Sequence, residues 1–154
     1  MFPGNEVRLM NAYFVKCESF VKDENGKVTE IHCTYDPASK GGNSPDGRKV
    51  KGTIHWVSAE YGKQVTVRLY ENIVNEELGV YNEDGSLNLN PNSLTVLENC
   101  IVEPSLAEAK EYESFQFVRQ GFFCTDCKDS KPGAPVFNRI VSLKSSFKLP
   151  SNPA

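Results

Sequence analysis

The 154-residue chain lacks the motifs that mark many enzymes and membrane proteins. It has no run of eighteen apolar residues, which argues against a membrane-spanning helix. Its first residues lack the basic and apolar layout of a secretory signal. Neither common glycine-rich phosphate loop occurs, and there is no Gly-x-Ser-x-Gly nucleophile elbow. With only two histidines, His32 and His55, no two-histidine motif can be built from neighbours. We therefore predict that the chain carries no catalytic site.

Cysteine is too sparse and too scattered for a disulfide framework. The five cysteines are Cys17, Cys33, Cys100, Cys124 and Cys127. An odd count of this kind favours a reducing compartment, so we predict a cytoplasmic protein. Cys124 and Cys127 have the spacing of a zinc knuckle, but a structural zinc site normally needs two such pairs. We therefore predict no metal in this chain.

Acidic residues outnumber basic ones, 20 to 17, so the formal net charge is −3. The distribution is uneven, however: residues 71–113 hold ten acidic residues and a single basic one, Lys110. The remainder of the chain is consequently basic. An acidic block beside a basic remainder permits a polyanion to bind on one side only, although an ordinary solvated acidic surface would look the same.

What the sequence does show is a period-two alternation of apolar and polar residues, which predicts strands. The predicted strands are Glu6–Cys17, Val28–Tyr35, Arg48–Ser58, Val65–Tyr70, Ser93–Val102, Ser114–Thr125 and Ala134–Leu143. Asn25-Gly26 predicts a tight hairpin turn within 23–26, and Trp56 is expected in the core. One short helical turn is predicted at Pro104–Lys110. The pattern favours an all-β fold, either a barrel or a pair of barrels.

Three stretches resemble the anticodon-binding region at the carboxy-terminal end of glutaminyl-tRNA synthetases. They are Glu6–Tyr13, Gly47–Ser58 and Phe115–Cys124, and Pro135–Arg139 resembles the family's last strand. The resemblance runs almost end to end in the right order, and the segment DGRKVKGTIHWVS is highly specific. It implies two small β-barrels of a ribosomal-protein-like topology that sit on the anticodon stem-loop.

The resemblance also implies a division of the chain. Residues 5–72 would form the outer barrel and residues 73–89 an acidic linker. Residues 90–148 would form part of the inner barrel, whose other part would lie upstream of Met1, and we expect residues 149–154 to fray. An incomplete barrel leaves an unpaired strand edge, which favours a dimer of the fragment.

The function implied is recognition of the anticodon loop of glutamine tRNA by part of a ligase. That ligase would attach glutamine to its tRNA, with ATP and magnesium bound by a catalytic domain outside this chain. This chain itself would hold no cofactor. Two alternatives remain: a protein-interaction or structural barrel that uses the acidic segment 71–113 as its docking face, and a barrel that binds ribosomal RNA.

The resemblance assigns RNA-binding roles residue by residue. Gln116 and Arg119 match positions that hydrogen-bond the middle uridine of the anticodon in relatives. Arg8 matches a position near the first anticodon nucleotide and its phosphate, and Lys144 a position near the loop backbone. Met10 stands where bacterial relatives usually have arginine.

The chemistry of this pair suits base recognition, because Gln offers both a donor and an acceptor, and Arg offers a planar fork that can also stack. Gln116 and Arg119 are three residues apart, however, so in a regular strand they would face opposite sides of the sheet. We therefore predict a bulge or a strand boundary at Phe117–Val118.

Overall fold

The computed structural model describes residues 1–75 and 78–143. These residues form nine strands and two short 3-10 helices, so the predicted all-β class is confirmed. The chain divides into two compact units, Met1–Trp56 and Val57–Ala154. Each unit contains one sheet, in keeping with the predicted pair of small β-domains. No helix in the described ranges has the length and apolar character needed to cross a membrane.

The first unit is built on a four-stranded sheet with the order β3-β2-β1-β4. Its strands are β1 Glu6–Leu9, β2 Phe14–Lys22, β3 Val28–Asp36 and β4 Thr53–Ile54. The turn between β2 and β3 falls where it was predicted: Gly26 has a φ of 79°, and the Asp23 side chain accepts hydrogen bonds from the N–H groups of Asn25 and Lys27. A 3-10 turn, Pro37–Ser39, follows β3.

Two strand predictions in this unit are wrong. The predicted strand Glu6–Cys17 is two strands, because the chain reverses after Leu9 with Asn11 at a φ of 57°. Asn tolerates this left-handed conformation better than most residues. The alternation continues across the reversal, so the pattern resembles that of a single strand.

The predicted strand Arg48–Ser58 shrinks to Thr53–Ile54. Gly47 and Gly52 have φ values of 69° and 92°, and these conformations interrupt an extended chain. Trp56 is 45% exposed and does not lie in the core. Its indole N–H instead donates to the Met10 carbonyl at 3.0 Å.

The second unit is built on a five-stranded sheet with the order β6-β5-β9-β8-β7. Its strands are β5 Lys63–Tyr70, β6 Leu94–Val102, β7 Ser114–Phe117, β8 Gly121–Thr125 and β9 Val136–Ser142. β5 and β9 run parallel, and the other neighbouring pairs are antiparallel. The helical segment predicted near Pro104 is a 3-10 turn, Pro104–Glu108.

The buried core of this unit comes from two alternate residues of β5, one residue each of β8 and β9, and the last residue of β6. Its members are Val65, Val67, Val102, Phe123 and Phe137. Phe137 has no exposed surface at all. Val65 and Val67 are alternate residues of β5, as the period-two pattern predicts for the core-facing side of a strand.

The predicted outer barrel ends at residue 72, whereas the first observed unit ends at Trp56. Strand β5, which that division placed in the outer barrel, pairs with β6 and β9 in the second sheet. Which unit is the outer barrel, and whether residues 73–89 act as a linker, stay predictions. The tail predicted at 149–154 lies outside the described residues.

Candidate nucleic-acid interface

Gln116 and Arg119 lie at the same end of the β7–β8 hairpin. Strand β7 ends at Phe117, whose carbonyl accepts a 2.8 Å hydrogen bond from the N–H of Gln120. Pairing resumes with Phe117 opposite Gly121. The boundary predicted at Phe117–Val118 is therefore present as a hairpin turn, and a regular strand through all four residues is excluded.

Packing fixes which face of β7 carries Gln116. Its neighbours Phe115 and Phe117 both pack against the buried core. The Phe117 ring stacks on Phe123 at 4.5 Å between centroids and meets Phe137 edge-on at 5.2 Å. Because side chains alternate along a strand, Gln116 is on the opposite face, and it is exposed.

Arg119 is exposed and has a φ of 64°. It occupies the third position of the turn that starts at Phe117, where a positive φ is usually supplied by Gly or Asn. A residue with a Cβ loses about 1–2 kcal/mol in this conformation. Strain of this kind persists where the surrounding structure or a function requires it.

Gly121 starts the returning strand and makes the hairpin possible. Its φ is 146°, and a Cβ on this residue would lie 2.6 Å from the Val141 carbonyl oxygen. Only glycine fits this close approach of β8 to β9. Gly121 therefore fixes where the turn that carries Arg119 ends.

Arg8 lies in the first unit, on β1, beside an open cleft of about 560 Å³. The guanidinium carbons of Arg8 and Arg48 each lie 5.2 Å from the centroid of the buried Phe14 ring. Arg8 and Phe14 are cross-strand neighbours on β1 and β2. Two cations thus share one aromatic ring at the edge of the cleft.

Arg48 is surrounded by carboxylates. Its Nε and Nη2 atoms donate to the two oxygens of Glu6 at 3.0 and 2.9 Å, and further ion pairs join it to Asp36 and Asp46. The hydrogen bond from Ser44, followed by those from Arg48, lowers the pKa of Asp46 to about 2. Hydrogen bonds from Arg48 and a backbone N–H likewise lower the pKa of Asp36. Asp36 and Asp46 therefore stay ionised at neutral pH and can pair with Arg48.

Arg8 has a different environment. Its Nε is buried and has no hydrogen-bond partner in the described part of the chain. A Cβ on Gly42 would come within 3.0 Å of the Arg8 Cδ, so the glycine leaves room for the side-chain stem. Within the same ranges, Arg8 forms no ion pair with a carboxylate.

The structure thus brings Gln116 and Arg119 to one hairpin, whereas Arg8 belongs to the other unit. Lys144 lies outside the described residues. The backbone N–H of Met10 donates to the Ile54 carbonyl at 3.0 Å, and the Met10 carbonyl accepts from the indole N–H of Trp56. The ion-pair cluster of Arg48 was not predicted from sequence, because Arg48 was treated as an ordinary strand residue.

The remaining candidate chemistry is limited. Among residues 1–75 and 78–143, no group of three or more His, Cys, Asp or Glu side chains is placed to hold a metal ion. Cys124 and Cys127 are free thiols. A hydrogen bond to Cys127 raises the pKa of Tyr112.

Comparison with known proteins identifies the family. Two models, both described as tRNA synthetases class I (E and Q), anti-codon binding domain, match residues 1–36 and 53–126. The chain therefore belongs to the anticodon-binding domains of the class I tRNA synthetases for glutamate and glutamine. The predicted family resemblance is confirmed.

Individual relatives point more narrowly to glutamine. The chain is 54% identical over 154 residues to the glutamine–tRNA ligase of Clostridium kluyveri, covering 99% of this chain and 28% of that protein. It is 51% identical over 148 residues to that of Bradyrhizobium diazoefficiens, covering 94% of this chain and 26% of that protein. The chain thus spans little more than a quarter of these relatives.

Proposed function

We propose that this chain recognises the anticodon loop of glutamine tRNA. Gln116 and Arg119 contact the middle base, Arg8 contacts the first anticodon nucleotide or its phosphate, and Lys144 lies near the loop backbone. The observation that carries the proposal is the exposed pair Gln116 and Arg119 at the end of one hairpin, within a chain whose two units both match anticodon-binding models.

The geometry suits unstacked bases. Sequence-specific RNA recognition mostly targets loop bases through their Watson–Crick edges and through stacking on planar groups. Gln116 supplies a donor and an acceptor from a strand held by two core phenylalanines, and Arg119 supplies a planar fork from the adjoining turn. A rigid scaffold with exposed polar ends can hold such contacts in place.

In the whole protein, the proposed activity is attachment of glutamine to its tRNA in the cytoplasm. ATP and magnesium belong to a catalytic region outside this chain. The alternative of a protein-interaction module is not favoured, because both matching models are anticodon-binding domains. An unpaired strand edge such as that of β6, which ends the order of the five-stranded sheet, offers a place for a second copy to pair.

The test is a titration of the chain with an anticodon stem-loop of glutamine tRNA, and with a variant whose middle uridine is replaced by cytidine. Affinity for both should fall steeply between low and physiological salt, because phosphate contacts release counterions. The cytidine variant should bind more weakly by about 1–3 kcal/mol. Equal affinity for the two stem-loops would contradict the proposed role of the hairpin.

A further inference from the structure

The two arginines that flank Phe14 have opposite electrostatic surroundings. Arg48 is ion-paired to three carboxylates, Glu6, Asp36 and Asp46. Arg8 has no ion-pair partner in the part of the chain that the structure describes, although its guanidinium lies as close to the Phe14 ring as that of Arg48 does. The difference matters because a paired cation is largely neutralised, whereas an unpaired one can bind a phosphate.

Glu6 is the carboxylate best placed to compete for Arg8. The two residues are two positions apart on β1, so their side chains lie on the same face of the strand. Glu6 instead receives a bidentate contact from Arg48, with N–O distances of 3.0 and 2.9 Å. This arrangement occupies both of its oxygens.

We propose that Arg48 is a positioning residue, which keeps Arg8 available for an RNA phosphate by holding the neighbouring carboxylates. The inference rests on the proposed function, in which Arg8 contacts the anticodon loop. Without Arg48, Glu6 turns to Arg8 and neutralises it. Arg48 itself makes no contact with the RNA in this proposal, since four of its five N–H donors are engaged by Glu6, Asp36 and Asp46.

The first experiment needs no RNA. The chain is treated with an arginine-specific dicarbonyl reagent, and modification of each arginine is followed by mass spectrometry. In the unaltered chain Arg8 should react faster than Arg48. In Arg48→Gln the reaction at Arg8 should slow by roughly 2–5-fold, as expected for a new exposed ion pair. Adding Glu6→Gln should restore it.

Recovery of Arg8 reactivity in the double variant distinguishes an effect of the Glu6 charge from an effect of loop structure. A variant with both Glu6→Gln and Arg48→Gln lacks the ion pair between the two residues, so a role limited to ordering the loop around residues 44–48 predicts no recovery. Unchanged Arg8 reactivity in Arg48→Gln, or no recovery in the double variant, would overturn the inference. Thermal unfolding of each variant shows whether the fold is retained.

The second experiment measures affinity for the anticodon stem-loop. Arg48→Gln should weaken binding by roughly 2–5-fold, with recovery on adding Glu6→Gln, and should have no further effect in a chain that already carries Arg8→Gln. Lys51→Gln removes the same charge at an exposed position and serves as the control, with a smaller change expected.

The possible outcomes distinguish the two proposals. Additive losses from Arg8→Gln and Arg48→Gln would show that Arg48 acts independently of Arg8 and would overturn the positioning role. Absence of binding by the unaltered chain would overturn the proposed function and the phosphate ligand with it. In that event, the reactivity of Arg8 still decides whether Arg48 keeps Arg8 free of an ion pair with Glu6.

Discussion

Replacing Arg119 with glycine should relieve backbone strain while it weakens RNA binding. Arg119 has a φ of 64° at the turn between β7 and β8, a conformation that costs a residue with a Cβ about 1–2 kcal/mol. Glycine removes this cost, but it also increases the entropy of the unfolded chain, which lowers the stability of the fold by about 0.4–1 kcal/mol. The net gain from backbone relief is therefore about 0.5–1 kcal/mol.

Arg119 also has an interaction within the chain, and any part of it that the side chain makes beyond Cβ is lost equally in Arg119→Gly and Arg119→Ala. Alanine keeps the Cβ and hence the backbone strain, so comparison of the two variants isolates the backbone term. In urea unfolding, Arg119→Gly should be more stable than Arg119→Ala by about 0.5–1 kcal/mol.

RNA binding should respond differently, because it depends on the lost guanidinium. Both variants should lose about 1–3 kcal/mol of affinity for the anticodon stem-loop, which is roughly 5–150-fold in Kd. Asn99→Gly is a suitable control, since Asn99 is exposed in the same unit and has a φ of 58°; RNA affinity should not change. Equal stability of the glycine and alanine variants would refute the argument from strain, and unchanged affinity would refute the contact.

Three further predictions concern stability. Gly121→Ala should destabilise the chain by about 2–4 kcal/mol in chemical denaturation, because a Cβ would meet a carbonyl oxygen of β9 at 2.6 Å; a loss below the error of measurement would argue against the close approach. The backbone N–H of Asp129 and a side-chain amide lower the pKa of Asp126 to about 2. Its stabilisation should thus be complete above about pH 4 and lost as the pH falls through 2, and Asp126→Asn should remove about 1–2 kcal/mol of this acid-dependent stability. Ser39→Ala should cost about 1–3 kcal/mol at neutral pH, since the buried Ser39 hydroxyl accepts the Phe14 N–H at 2.8 Å, and full stability of that variant would show that the N–H finds another acceptor.

Alternation in the sequence predicted most of the sheet structure. Strands β3, β5, β6 and β9 lie within a few residues of the predicted ranges, because each has a regular polar and apolar period. The errors occur where a positive φ interrupts the strand, at Asn11 and at Gly47 and Gly52. Asn11 is not a glycine, so the alternation gave no sign of the reversal there.

The candidate interface was predicted through family resemblance and not from physical patterns. No periodicity distinguishes Gln116 or Arg8 from an ordinary exposed strand residue. The cluster around Arg48 depends on residues 6, 36 and 46 meeting in space, and only residue 46 is near Arg48 in the sequence. A charged residue inside a glycine-rich segment is the weak clue that was present.

Recognition of the middle anticodon base by the β7–β8 hairpin can be tested by a cycle of protein and RNA changes. The affinity ratio between the stem-loops with uridine and cytidine at the middle position should be measured for the unaltered chain, Gln116→Ala and Arg119→Ala. We expect a clear preference for uridine in the unaltered chain that falls by about tenfold or more in each variant. A preference that survives both substitutions would place recognition of that base elsewhere in the protein.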